Sequence, residues 1–265
     1  MNALLLPAPG HLPKTNEVDA TENYFSGGFG WVLRQRLHWV LAALPPGRIG
    51  RVLEIGYGSG IFQYALSERA DQLFGIDVHP MAAVVRDRLA EDGIETRLIR
   101  GDGVRLPFAD ASFDTCVVLS ALEFMSDPKA CLQEAIRVTR SGGQVIALTP
   151  RVLTWADRLY KLLVGFDPES EFAGGRQRVQ TALADSGLSA RRSNRPRLVP
   201  RFLAPYEVVQ LSSPGPPRGA PRPTGQAPKT LHAHARPRRR CGKRVREQSA
   251  RQPSGRRAAH EVPRT

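Results

Sequence analysis

The sequence predicts an α/β fold, a mostly parallel sheet with helices on both faces, and three observations carry that prediction. Short apolar runs at 52–55, 72–77, about 95–100, 113–119 and 144–149 alternate with segments whose apolar residues recur at helical spacing. Glycine and proline punctuate the connections, as in a chain that winds strand, helix, strand. Glu54, Asp77, Asp102 and Leu119 each stand at the C-terminal end of a run. In open α/β sheets ligands bind outside those ends, so the four positions mark one candidate site.

Residues 1 to about 20 are proline-rich and polar and are expected to form a poorly ordered arm. In Trp31–Leu44, apolar residues at 32, 33, 37, 40, 41 and 44 predict a helix that Pro45-Pro46-Gly47 stops. His38 in this helix reads as structural or exposed in preference to a catalytic base. The first strand runs into Gly56, Gly58 and Gly60, and a helix follows at about 60–70. Glycines suit that turn because it needs unusual backbone angles and lets the main chain approach a ligand; the helix start offers free N–H groups. Such a turn takes a nucleotide-like cofactor. The dinucleotide fingerprint would read G-x-G-x-x-G/A with an acid about 20 residues on. Here the spacing is G-x-G-x-G, Ile61 holds the place of the third glycine, and the acid, Asp77, serves either kind of cofactor. Glu54 discriminates: a carboxylate in front of the glycines suits an ammonium or sulfonium and would repel a pyrophosphate.

After the second strand, Pro80 is expected to open a helix that Gly93 ends. The third strand and the loop Leu106-Pro107-Phe108 lead to the fourth strand, with β-branched residues at 115, 117 and 118. Pro128 opens a helix to about Thr139, Gly142-Gly143 is expected to turn the chain, and Gln144–Thr149 forms the fifth strand.

Four motifs now stand in order: Glu54-Ile55-Gly56-Tyr57-Gly58-Ser59-Gly60, Gly75-Ile76-Asp77, the run Gly101–Asp114, and Ser141-Gly142-Gly143. Together they resemble a class I S-adenosylmethionine-dependent methyltransferase, above all the small-molecule branch known as the type 11 methyltransferase domain. The resemblance runs from about Arg51 to Pro150 and more loosely to about Leu211. It implies a doubly wound, Rossmann-like sheet of seven strands, mostly parallel, with an antiparallel edge strand. It also implies that Glu54, Gly56, Gly58 and Gly60 surround the methionine part of S-adenosylmethionine. Asp77 would hold the ribose hydroxyls with Val78 beside the adenine, Asp102 would accept from the adenine amino group with Gly103 beside it, and Leu119 would lie near the sulfonium. Tyr57 stands where the family usually has a small residue, and Thr139 and Ser141 replace a usual Leu and Pro; no side-chain contact is lost, so cofactor binding is expected to survive. By the same resemblance, residues 21–46 and 151–174 are lid elements of a domain spanning 21–211. Tyr24 either closes the cofactor cleft or anchors the arm to the core, and the second reading is favoured.

Beyond Pro150, Val152–Leu163 is helix-like, Gly165–Pro168 is a turn, Arg176–Ser186 is a helix, and Leu188–Ser193 and Tyr206–Leu211 are two last strands. Trp155, Tyr160, Phe166 and Phe172 form either a substrate lid or an aromatic satellite core. From Ser212 the composition turns to Pro, Gly, Arg, His and Ala, too poor in bulky apolar residues to offset ordering entropy, so 212–265 is expected to be disordered.

The formal net charge of +13 resides in that tail, where 14 Lys and Arg face 2 Asp and Glu; the rest of the chain holds 24 and 23. The tail would attract polyanions. A solvated tail without function, or an ending that is not native, are the favoured readings, with RNA recruitment the competing one. Three widely spaced cysteines give neither a disulfide framework nor a zinc pattern, no apolar stretch is long enough to span a membrane, and a cytoplasmic protein is expected. The fourth strand exits through Leu119-Ser120-Ala121-Leu122, not the N-P-P-Y or D-P-P-Y of enzymes that methylate exocyclic amines of nucleic-acid bases. Glu123 is followed by Phe124 where a Glu-His pair is often found, no general base identifies itself, and no metal cluster is evident. The first reading is therefore methyl transfer from S-adenosylmethionine to an O, N or C atom of a small-molecule acceptor. A catalytically inactive cofactor-binding module, an RNA-directed methyltransferase and, more remotely, an NAD-dependent dehydrogenase remain as alternatives.

Overall fold

The structure, a computed structural model, describes residues 4–16, 19, 21–151, 162, 174–185, 190–193 and 206–212. The strands are β1 (Arg51–Ile55), β2 (Gln72–Asp77), β3 (Arg97–Arg100), β4 (Phe113–Leu119), β5 (Thr139–Pro150), β6 (Ala190–Ser193) and β7 (Tyr206–Ser212). The helices are α1 (Gly28–Ala43), α2 (Ile61–Ser67), α3 (Ala82–Glu91), α4 (Pro128–Val138) and α5 (Gly175–Asp185), with single 3-10 turns at Thr21–Phe25 and Leu122–Phe124. One seven-stranded sheet results, in the order β3-β2-β1-β4-β5-β7-β6. β1 to β5 pair in parallel, and β7 lies antiparallel between β5 and β6 at that margin. The order reverses between β1 and β4, and such a reversal opens a crevice at the strands' C-terminal ends.

Residues alternate between the two faces because the strand period is two. Val52, Val117, Ile146, Leu148 and Val208 bury one face under Leu33, Leu37 and Val40 of α1, Phe62 of α2 and Val85 and Leu89 of α3. Leu53, Ile55, Cys116, Val118, Val145 and Val209 bury the other under Leu132 and Ala135 of α4 and Val179 and Leu183 of α5. Glu54 shares the parity of Val52 and so points into the α1–α2–α3 layer, which bears on its chemistry.

The structure departs from the sequence-based expectations at three places. The arm is seated instead of loose: Leu12 is buried in the first core, and His11 Nε2 lies 3.0 Å from the carbonyl oxygen of Arg88. α3 begins at Ala82, two residues after Pro80; ahead of it His79 Nδ1 accepts the Met81 N–H at 3.1 Å in a side-chain turn over 79–81. β5 begins at Thr139, not at Gln144. Phe113 pairs with Thr139 but Thr115 with Gln144, so the expected glycine turn is absorbed into the strand as an irregularity in which residues 140–143 stand opposite Asp114. Helix Val152–Leu163, the turn at 165–168, the four lid aromatics and the tail beyond Ser212 lie outside the described residues.

Candidate cofactor and acceptor cleft

β1 delivers Glu54 to the mouth of the crevice, 1% exposed. Its carboxylate accepts from Gln63 Nε2 on α2, and among the described residues no basic side chain is within ion-pair distance. Burial pushes its pKa up to about 8, with the Gln63 bond pulling down and the nearby Asp77 pushing further up. A carboxylate so placed gains from any cation that enters beside it.

The turn that follows has positive φ at Gly56, Gly58 and Gly60, of 78°, 52° and 84°, angles that cost residues with a Cβ. The turn is gripped from β2. Asp77 Oδ2 accepts the Gly58 N–H at 2.8 Å, and His79 Nε2 lies 3.0 Å from the Gly58 carbonyl oxygen. Because His79 Nδ1 accepts from Met81, Nε2 carries the proton and donates. Both main-chain polar groups of Gly58 are thus fixed by two residues at one strand end.

Tyr57, the departure from the family pattern, is accommodated by a second departure in space. Its ring is buried, edge-on to His79 with centroids 4.9 Å apart, and lies over Gly75 in β2. A Cβ at Gly75 would stand 2.8 Å from Tyr57 Cδ1 and 2.6 Å from Leu98 Cδ2, closer than real contacts allow. Of the other departures, Thr139 is buried and donates to the Ala135 carbonyl oxygen at 2.6 Å.

The remaining expected positions line the same rim. Val78 is 62% exposed directly after β2. Asp102 is exposed and Oδ1 accepts the Val104 N–H at 3.0 Å; Gly103 is buried between Ile55 and Met125. Leu119 ends β4 half-buried, and the chain beyond it turns back through Ser120 at φ 49° so that Ala121 packs on Gly56. The expected nine residues therefore gather at the C-terminal ends of β1, β2, β3 and β4.

Several residues in the cleft were not foreseen. Gln63 and His79 carry no local signal beyond their spacing from the glycines. Thr21 reaches the turn from the N-terminal side, its hydroxyl bonded to Ser59 Oγ. Tyr24 anchors the segment: it is buried, and its hydroxyl accepts from Arg36 Nη2 at 2.7 Å. His38 is half-buried on α1, its pKa lowered by burial, and two residues from Arg36 it faces another side of the helix.

Residues 53–147 match a family model described as a methyltransferase domain. Over these residues the chain carries a methyltransferase domain. Its curated relatives include a phosphatidylethanolamine N-methyltransferase of Cereibacter sphaeroides, 37% identical over 102 residues, covering 37% of this chain and 50% of that protein. A demethylmenaquinone methyltransferase of Thermus thermophilus is 32% identical over 123 residues, covering 45% of this chain and 56% of that one. The chain spans about half the length of these relatives. Among solved structures, the PH0226 protein of Pyrococcus horikoshii superposes with a TM-score of 0.55 at 16% identity, over 74% of this chain and 96% of that one. The [4+2]-cyclase SpnF superposes at 0.54 and 18% identity, over 76% and 86%. A possible histamine N-methyltransferase of Thermotoga maritima gives 0.52 at 21%, over 74% and 96%. These superpositions establish the fold, and a cyclase among them illustrates that the fold alone does not fix the reaction.

The methyltransferase fold and family imply S-adenosylmethionine as cofactor. The side chains present fit it. A buried carboxylate without a basic partner awaits a cation at the glycine turn, and a second carboxylate, Asp77, stands one strand over.

Proposed function

We propose that this protein transfers a methyl group from S-adenosylmethionine to a small-molecule acceptor. The observation that carries the reading is Glu54: a carboxylate buried at the glycine turn, pushed up to about 8, and favouring a cationic ligand over a pyrophosphate. Glu54 would hold the cationic amino-acid end of the cofactor, Asp77 its ribose hydroxyls, and Asp102 and Val78 its adenine. Leu119 and the turn through Ser120 would border the reacting carbon. When bound, the cofactor supplies an electrophilic methyl group on a sulfonium. The chain's own task is then mainly to exclude water and to hold the acceptor in line at about 3–3.5 Å, which converts a bimolecular step into a unimolecular one. The two named relatives act, by their names, on a phosphatidylethanolamine and on a demethylmenaquinone, so similarity supports the reaction class and not one acceptor.

Calorimetric titration of the full chain with S-adenosylmethionine, S-adenosylhomocysteine and NAD tests the reading. Saturable binding of the first two and none of the third is expected. NAD binding without the other two would overturn it, as would binding of none.

A further inference from the structure

At the exit of β4, beside Leu119 and Ser120, lies a polar cluster centred on α1. Arg36 projects from α1 and is 8% exposed. Its guanidinium sits between two tyrosine rings, 5.5 Å from the centroid of Tyr24 and 4.9 Å from that of Tyr206. Nη2 donates to the Tyr24 hydroxyl at 2.7 Å, and Nη1 donates to Ser120 Oγ at 3.2 Å and to the Tyr206 hydroxyl at 3.3 Å. A guanidinium has five N–H donors, and the Nε–H, though buried, has no acceptor. Among the described residues Arg36's hydrogen-bond partners are all neutral hydroxyls, and no carboxylate is within ion-pair distance. Such a buried charge is costly unless something meets it.

Three residues beyond Ser120 stands a second unmet group. Glu123 is 2% exposed and, among the described residues, its Oε2 has no partner. Its main chain is fixed by α5, which starts at Gly175 hard against the Glu123 carbonyl. Arg36 and Glu123 feel one another electrostatically across a gap wider than an ion pair. Burial pushes Glu123 up to about 7, and its own backbone N–H and Arg36 offset only part of that. A buried donor and a buried acceptor, both unsatisfied, thus flank the exit of β4, the loop that packs on Gly56 through Ala121.

We infer that the methyl acceptor is an acidic hydroxyl, phenolic or enolic, whose oxygen accepts from Arg36 Nε–H and whose proton passes to Glu123 Oε2. This rests on the methyltransferase reading and narrows it to O-methylation. A hydroxyl both accepts and donates, which matches the two unmet groups. An ammonium would add a second cation beside Arg36, and a carboxylate would bring no proton for Glu123. In the transfer, the acceptor's O–H bond breaks and its proton goes to the Glu123 carboxylate. The oxygen lone pair forms the new bond to the methyl carbon, and the carbon–sulfur bond breaks with its electron pair passing to sulfur, which leaves S-adenosylhomocysteine. Glu123 then returns the proton to water. A base that titrates near neutrality is matched to an acidic hydroxyl and not to an aliphatic alcohol.

The test uses the full chain saturated with S-adenosylhomocysteine and 3-nitrophenol as probe, a less acidic phenol whose absorbance distinguishes phenol from phenolate. At a pH above the titration of Glu123 at about 7 and below the free probe's own ionisation, wild-type protein is expected to bind it as the phenolate. Arg36→Lys keeps the charge but loses the Nε donor. It should weaken probe binding about tenfold or more and leave the bound probe protonated, with S-adenosylhomocysteine affinity unchanged. Glu123→Gln should bind the phenolate while releasing to the buffer a proton that the wild type retains, measured calorimetrically in buffers of different ionisation enthalpy. No saturable probe binding, a bound probe that stays neutral, or equal proton release by wild type and Glu123→Gln would overturn the inference. Should Arg36→Lys impair folding, seen as lost S-adenosylhomocysteine binding, the Glu123→Gln proton count decides alone. Failure of the wild type to bind S-adenosylhomocysteine would instead sink the methyltransferase reading and this inference with it.

Discussion

The two ends of the cleft are built in opposite ways. At the β1–β2 end, Glu54, the glycine turn, Gln63, Asp77 and His79 come from one stretch of about 25 residues, and the grip on Gly58 is made by neighbours at one strand end. At the β4–β5 end, Tyr24, Arg36, Ser120, Glu123 and Tyr206 are drawn from three distant parts of the chain; Arg36 and Tyr206 are 170 residues apart. The first end is set largely by backbone geometry, the second by side chains meeting across α1, β4 and β7. A constant ligand can be held by a local motif, whereas a site assembled from separated residues can change without disturbing it.

The largest effect that would break this contrast is expected at Asp77. Its carboxylate both holds Gly58 and is placed for the ribose, so Asp77→Ala should cost about 3 kcal/mol, on the order of a hundredfold in S-adenosylhomocysteine affinity by calorimetry. Next comes the Tyr57–Gly75 pair. Gly75→Ala should destabilise by about 1–3 kcal/mol through overpacking, read in denaturant melts. In a Tyr57→Ala background the same change should cost less, because one of its two collisions is gone. Equal costs in both backgrounds would contradict the packing described.

A smaller and pH-dependent effect separates the two buried glutamates from surface carboxylates. Burial raises Glu54 to about 8 and Glu123 to about 7, well above the usual carboxylate range. Groups raised in the folded state contribute stability that is present below the unfolded pKa and is lost as pH rises through the folded one. The ligand-free melting temperature should therefore fall between about pH 5 and pH 8. Glu54→Gln should make the fall shallower over its whole span and remove it above about pH 7, whereas Glu123→Gln should make it shallower only below about pH 7, checked by thermal melts across pH. The smallest effect is expected for Tyr206→Phe, which removes one of three hydroxyl partners of Arg36, about 1 kcal/mol of stability, without altering S-adenosylhomocysteine affinity.

The same contrast explains what was legible in the sequence. Strand positions, the helix over 128–138 and the cofactor-end residues follow from apolar periodicity and glycine spacing, both of which are local. The irregularity in β5 was not legible, because Gly142-Gly143 signals a turn equally well whether it ends a strand or interrupts one. The start of α3 was misplaced by two residues because proline preference does not register the His79–Met81 turn that precedes the helix. Arg36 was hidden in a helix whose apolar stripe alone drew notice, and its partners Ser120 and Tyr206 declare themselves only once the sheet is assembled. Tyr57 looked like a departure until Gly75 came to lie beneath it.

The central claim is that the two ends of the cleft are separable, with the cofactor held from the ends of β1, β2 and β3 independently of Arg36. The most direct measurement is S-adenosylhomocysteine affinity, by calorimetry, in wild type, Asp77→Ala and Arg36→Lys. The account predicts wild-type binding that is lost in Asp77→Ala and unchanged in Arg36→Lys. Equal losses in both variants, or full affinity in Asp77→Ala, would contradict it.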